Sequence, residues 1–365
     1  MKFIVLKEVI SKGIQNIQVA ANLKSSLPIL SNILIEATED IVIMTTTDLD
    51  IGIVTKIAVK PVLTGAITVP AKKFFDIIKE LPDGENITIT VKKNNSVQIE
   101  CDKNMFKVMG LQKEEFPQLP EFKDKESIVM PQAKLKKMIT MTGFAISRDE
   151  SRYVLTGILF VIKPNFMRLI ATDGRRLAMA EEKMQLPKSL ERRMIVPTKA
   201  INELGKLLGD EGDVKIFFSD NQIFFDVGHS RLVSRLIEGD FPDYEKVIPK
   251  ESKEKIGVSR DGLMSAVKRV ALFTNPESMA VRVDLSKDKM VLSKNSQYLG
   301  EARAELAADY NGKEISVGFN PAYLLDVLKN LDQETVGFEI VDSEKPGVLR
   351  IGEEYTYVVL PMQLT

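Results

Sequence analysis

The sequence predicts an α+β protein built as three tandem copies of one unit, each with two helices and about eight strands. Three observations lead there. Two proline-bearing segments nearly repeat one another, "KEEFPQLPEFKDKE" at 113–126 and "EGDFPDYEKVIPKE" at 238–251. A strand end, a proline and an amphipathic helix follow one another three times, and Pro70, Pro197 and Pro321 are spaced by 127 and 124 residues. Asp48 and Asp173, each closing a strand pair, also stand 125 residues apart. A period this long describes whole domains rather than the short units of a solenoid.

Each copy opens on a helix: "VLKEVISKGIQNIQVA", "MPQAKLKKMITMTGFAI" and "VSRDGLMSAVKRVALFT". A strand pair comes next: "NILIEATEDIVIMTTTD", "GILFVIKPNFMRLIATD" and "AVRVDLSKDKMVLSKN". The second helix then appears in "TVPAKKFFDIIKELPDGENITITV", "IVPTKAINELGKLLGDEGDVKIFF" and "VGFNPAYLLDVLKNLDQETVGFEI", followed by a turn and alternating strands. Proline suits the first helical turn, where its missing N–H is not needed, and Asn320 is a good N-cap before Pro321. The six helices are expected over 7–20, 70–80, 131–142, 197–208, 260–270 and 321–330. The two Phe-Pro segments are equivalent joints, each closing one copy, so the domains are expected at 1–122, 123–249 and 250–365.

Composition narrows the function. No apolar run reaches the roughly 18 residues of a membrane span, and "MKFIVLKEVISKG" lacks a signal-peptide layout, so a soluble cytoplasmic protein is expected. A single cysteine, Cys101, excludes an intramolecular disulfide and fits a reducing compartment. With one histidine, His229, there is no HExxH motif and no multi-histidine metal site. Cys101 lies in the alternating run "SVQIECD", which reads as a strand, and His229 in "FDVGHSRL", which reads as a turn. Asp48 and Asp50 of "TDLDI" could hold a metal, but strand alternation explains them as well. "GDEGD" at 209–213 reads as a solvated acidic turn, and no Gly-rich phosphate loop is present. No catalytic constellation, metal or cofactor is therefore expected.

Charge is distributed unevenly. The whole chain has a formal charge of −1, against the usual composition of a tight nucleic-acid binder. The six expected helices nevertheless carry 14 Lys/Arg against 6 Asp/Glu, leaving the remainder strongly acidic. Repeated basic helices are either ordinary solvated faces or the lining of one surface that meets a polyanion.

These features together resemble the bacterial sliding-clamp family, the beta subunit of the replicative DNA polymerase. The strings "LPILSNILIEAT", "VPAKKFFDIIKEL", "EFPQLP", "ATDGRRLA", "EGDFPDYEKVIP", "FNPAYLLDVL" and "YTYVVLPMQL" span the whole chain, and their order, spacing and threefold repetition make the match specific. The resemblance implies a DNA-clamp fold, closed as a head-to-tail homodimer into a six-domain ring with helices inside. Twelve helices spaced at about 8–10 Å would trace a circle of about 30–38 Å, wide enough for a duplex. Near-neutral charge suits such a ring, because encirclement retains DNA without the many phosphate contacts that would arrest sliding.

The resemblance also implies sites. DNA contacts would fall on Lys24, Lys72, Lys73, Lys136, Lys137 and Lys199, and on Arg152 and Tyr153 of the loop "SRDESRY". Lys24 replaces what is often arginine, a better bidentate donor. A groove for short apolar-aromatic peptides would take Leu155, Thr172, Gly174, Arg175, Arg176 and Leu177 from the second copy. Pro242, Val247, Asn320, Tyr323, Val358, Pro361 and Met362 would complete it. Arg176 and Asn320 are expected at its rim, and Met362 is expected to project past Pro361. Arg175 stands where known members have histidine, and Ser278 where some have a large aromatic, a role Met279 could fill. Implied partners are double-stranded DNA, the polymerase catalytic subunit, the clamp loader and repair proteins, with no membrane. Two alternatives stay open: a metal-dependent enzyme using Asp48, Asp50 and Asp173, and a repeat scaffold that binds proteins only.

Overall fold

The computed structural model describes residues 1–21, 27–120, 126–249, 255–297 and 299–364. Among them are six α-helices: α1 Lys7–Ile17, α2 Ala71–Glu80, α3 Gln132–Gly143, α4 Thr198–Leu207, α5 Arg260–Ala271 and α6 Pro321–Lys329. Twenty-five strands accompany them, all paired antiparallel. The observed helices hold the same charged residues as the predicted ones, so the basic excess on helices is a property of the structure.

Two compact units form. Met1–Lys136 with Lys199–Leu236 carry a five-stranded and an eight-stranded sheet. Lys137–Thr198 with Ile237–Thr365 carry one twelve-stranded sheet. Each of the two larger sheets has a seam where strands distant in sequence pair. In the first unit Gly52 lies opposite Val233, and in the second Leu177 lies opposite Val358. Helix burial follows the sequence pattern: α2 turns Ala71, Phe74, Phe75, Ile77 and Ile78 inward and leaves Lys72 and Lys73 exposed. Each large apolar side chain so buried contributes about 1.5–3 kcal/mol.

Two expectations are corrected. Pro70 and Pro197 are not inside the first helical turn but end the strands Gly65–Pro70 and Arg192–Pro197, one residue before α2 and α4. Both strands lie at the edge of their sheets, where a residue without an N–H leaves no ladder bond unmade. Only Pro321 occupies the first helical position, behind the Asn320 cap. Asp48 and Asp50 do not alternate along a strand either. They sit in the turn between Ile41–Thr47 and Ile51–Ala58, where Asp48 Oδ1 accepts from the N–H groups of Asp50 and Ile51 at 3.0 and 2.8 Å. Cys101 ends a strand with its side chain buried, and His229 occupies an exposed turn between strands, as the pattern predicts. The acidic stretch 209–213 is a turn after α4, also as predicted. No described helix is long and apolar enough to cross a membrane.

Candidate partner groove and DNA-facing helices

The turn "TDGRR" is built by its own side chains. Thr172 Oγ1 donates to Arg176 O at 2.6 Å and accepts from Gly174 N–H at 3.0 Å. Asp173 Oδ1 accepts from the N–H groups of Arg175 and Arg176 at 2.9 and 3.0 Å. Gly174 has φ +83°, which disfavours any residue with a Cβ, and such a Cβ would stand 2.6 Å from Arg152 Nη1. Arg152 in turn donates to Asp173 O at 2.9 Å, closing the turn from outside. The same hydroxyl and carboxylate bonds recur at Thr47–Ile51 in the first unit, with Leu49 at φ +78° in the glycine position. Asp48 and Asp173 are therefore equivalent turn builders. That removes the physical basis for an Asp48, Asp50 and Asp173 metal site, and no described cluster of His, Cys, Asp or Glu is placed to hold one.

Arg176 anchors the turn in the second unit. Its guanidinium donates to Asp173 Oδ2 at 3.0 Å, Asp326 Oδ2 at 2.7 Å and Phe144 O at 2.5 Å, and lies over the Tyr323 ring at 4.5 Å. Burial works against its charge, but the hydrogen bond to Asp326 and the neighbouring carboxylates more than offset this and hold its pKa above the ordinary value. Tyr357 donates to Tyr323 O at 2.9 Å, and burial pushes its phenol up. The expectation of Arg176 at the rim is thus corrected: its donors are committed to the protein. Asn320 is likewise buried, its Oδ1 accepting from Ala322 N–H at 3.0 Å as the α6 cap. Arg176→Ala is expected to strand Asp326 and Asp173 and to cost about 3 kcal/mol, visible as a lowered melting temperature. A melting temperature unchanged within a degree would refute the anchoring role.

Leu155, Leu177 and Val358 are buried in one cluster with Phe241 and Tyr244 of the repeated Phe-Pro segment. The apolar groups presented to solvent are Pro242 and Val247, the latter 52% exposed. Tyr323, Thr172, Pro361 and Met362 are half-buried, and Arg175 and Gly174 are exposed. Met362 does not project freely: pairing resumes after Pro361, with Met362 N–H donating to Gly318 O at 2.8 Å. All thirteen predicted groove residues lie in the second unit. Sequence reasoning missed Phe144, Asp326 and Tyr357, which hold Arg176. It also missed Lys294, a buried lysine whose Nζ lies 2.5 Å from Ser278 Oγ and whose pKa burial lowers. Nothing in local pattern marks these partners, which come from remote elements.

The predicted DNA contacts divide into two groups. Lys72 and Lys73 on α2 are exposed and have no ion-pair partner among the described residues. Lys136 pairs with Asp210 at 2.8 Å, Lys137 with Asp332 at 3.0 Å, and Lys199 with Asp48. Arg152 is half-exposed and Tyr153 is 59% exposed, in the short helix Glu150–Leu155. Lys24 lies outside the described residues.

Repeated sheet seams, repeated turns and basic helices define a repeat-built binding protein of the clamp class. Comparison with known proteins makes this specific. Family models for the DNA polymerase III beta subunit match in order: the N-terminal domain at residues 1–120, the central domain at 129–243 and the C-terminal domain at 245–363. The beta sliding clamp of Chlamydia pneumoniae is 35% identical over 364 residues, covering 100% of this chain and 99% of that protein. A crystal structure of the Pseudomonas aeruginosa sliding clamp bound to griselimycin superposes with a TM-score of 0.95 at 32% identity, covering 100% of both chains. The Bacillus subtilis clamp gives a TM-score of 0.94 at 29% identity, again over 100% of both. The chain belongs to the DNA polymerase III beta subunit family. Its function is that of the family: a non-catalytic, DNA-encircling processivity factor for the polymerase.

Proposed function

We propose that the protein acts as a head-to-tail homodimer that closes around duplex DNA, each chain contributing three domains bounded near 122/123 and 249/250. The observation that carries this reading is a pair of unpaired strand edges. In the first unit, among the described residues, the strand Asn104–Met109 pairs only with Ser96–Cys101, and Met105 and Met109 on its rim are 61% and 59% exposed. In the second unit Gly300–Asp309 pairs with Lys289–Ser296 along its length, but with Ile256–Ser259 only at its end. Open edges seek partners, and these two differ in net charge: exposed Asp102, Lys103 and Lys107 at one, and Glu301, Arg303 and Glu305 at the other. A heterologous contact of this kind closes into a ring when the rotation permits. Retention on DNA is the direct test: the protein should stay on a circular duplex and leave once the circle is cut. Dissociation from both at equal rates would count against encirclement.

Lys72 and Lys73 are the strongest candidates for meeting phosphate, because their charges are uncommitted. The ion pairs of Lys136 and Lys137 are largely solvated, so exchanging a carboxylate for a phosphate there costs little, whereas Lys199 is held by the largely buried Asp48. Lys72→Glu with Lys73→Glu is expected to weaken loading and retention while leaving stability within about 0.5 kcal/mol per site. The deficit should grow as salt falls, since an electrostatic attraction has been removed. Equal loading at low salt would show that α2 does not face DNA. Lys199 is better replaced by glutamine, because a glutamate would confront the largely buried Asp48 with a like charge.

The groove residues of the second unit form the proposed docking site for short peptides of the polymerase catalytic subunit, the loader and repair proteins. Support comes from the exposed apolar rim beside a rigid turn, and from the griselimycin held by the P. aeruginosa relative.

A further inference from the structure

We propose that the first unit carries a second peptide site, on the face of its eight-stranded sheet beneath residues 113–120, for a short segment presenting a large apolar side chain beside a carboxylate. A cavity of about 830 Å³ opens there, within the size range that ligands of a few residues occupy. Strand register gives it two unlike rows. Lys215, Asp226, Arg231 and Val54 lie opposite one another across four strands. Two residues further on, Phe217, Phe224, Val233 and Gly52 do the same. A mostly charged row therefore runs beside an apolar one on the same face, in which Phe217 is half-buried and Phe224, Val233 and Gly52 are buried.

The charges are not balanced from within. Asp226 is taken by Arg231 at 2.8 Å, and Glu36 by Lys113 at 3.9 Å. That leaves Glu114 against Lys56 and Lys215, neither of which has an ion-pair partner among the described residues. An apolar floor with surplus positive charge is complementary to an acidic, apolar peptide. A duplex would use the charges and leave the floor unused, whereas a single strand could stack its bases on the phenylalanines and is the competitor to be separated.

The two seams explain why space is left here. In the second unit Leu177 and Val358 fill the seam, and Phe241 and Tyr244 close over them. In the first unit the matching pair is Gly52 and Val233, and the matching cover is Phe116 and Leu119. Leu119 rests directly on Gly52, its methyl carbons 2.5 and 2.8 Å from where a Cβ would stand. Glycine admits Leu119, yet the smaller set of side chains leaves the volume over Ile43, Val54 and Phe217 unfilled. This site is separate from the groove of the second unit and does not depend on it.

The test uses the chain ending at Pro361, which removes the second unit's tail, and a fluorescent decapeptide with Leu-Phe flanked by two glutamates. Anisotropy should report binding to this chain. Lys56→Glu with Lys215→Glu should weaken it at least tenfold, and Val54→Trp, which fills the cavity, should abolish it. The dimer mass should stay unchanged, and the charge variant, being a surface change, keeps the test valid if Val54→Trp folds poorly. The proposal is overturned if the truncated chain shows no binding at millimolar peptide, if the charge variant binds as before, or if a peptide with lysines replacing the glutamates binds equally well. Displacement by a single-stranded oligonucleotide at equal affinity would also overturn it, by making the site a generic anion surface.

Discussion

Ending the chain at Pro361 is expected to reduce binding of a polymerase C-terminal peptide to the second unit's groove by more than thirtyfold while leaving the dimer intact. The tail has two possible roles, and its geometry separates them. Met362 is stitched to the sheet by its N–H bond to Gly318 O, and the Leu364 side chain leans on Gly318, where it would contact an added Cβ at 2.9 Å. Neither side chain is buried as a core plug would be: Met362 is half-buried and Leu364 is 43% exposed. Removing them therefore costs one backbone hydrogen bond and part of two apolar contacts, about 1–2 kcal/mol in all. What disappears is an adaptable, partly exposed apolar edge at Gly318 of the second unit. A flexible thioether there can repack against different ligands, which suits a groove that serves several partners. Calorimetry with the peptide, alongside a mass and a melting curve, reads both effects. Loss of the dimer together with a large fall in melting temperature would make the tail structural. An unchanged peptide affinity would remove the groove assignment.

Much of the fold was legible because the chain states it three times. The Phe-Pro segments, the three proline-led helices and the Asp48/Asp173 match each reflect a local requirement, a linker, a helix start or a turn, that repeats with the domain. The basic helices were legible for the same reason. Their carboxylate partners were not: Asp210, Asp332 and Asp48 reach Lys136, Lys137 and Lys199 from other elements, and no local spacing marks such pairs. Arg176 shows the limit most clearly. Its position in "ATDGRRLA" points to a functional turn, but whether it greets a ligand or anchors the protein depends on Asp326 and Phe144, 150 and 32 residues away. The Asp48–Asp50 pair failed for a different reason. Alternation in "TDLDI" mimics a strand, whereas an aspartate after a threonine can bond its own backbone and turn the chain. The first unit's cavity had no local signature either, since it arises from a glycine meeting a leucine 67 residues later.

Lys103→Glu with Lys107→Glu is expected to convert the homodimer largely to monomer at micromolar concentration and to abolish retention on circular DNA. Both lysines flank or lie in the open strand Asn104–Met109, and both are exposed in the single chain. If this edge meets Gly300–Asp309 of a second chain, the change sets new carboxylates against Glu301 and Glu305. Like charges brought together at an interface cost several kcal/mol, far more than the attraction lost, because docking strips water from both. Glu305 is already drawn toward Lys289 at 2.8 Å, and the hydrogen bond to that lysine holds its carboxyl below the ordinary range, so Glu301 should dominate the coupling. The decisive measurement is the charge swap. Glu301→Lys with Glu305→Lys should by itself weaken the dimer, and mixing it with the Lys103/Lys107 variant should restore both interfaces of the ring, one with the charges swapped and one with the original pairing. The mixture should therefore sediment at full dimer mass and be retained on circular DNA, whereas neither variant alone should be. Placing all four substitutions in one chain should restore both interfaces, and with them retention. Recovery of mass without recovery of retention in that fourfold variant would mean that the two edges associate but do not close a ring.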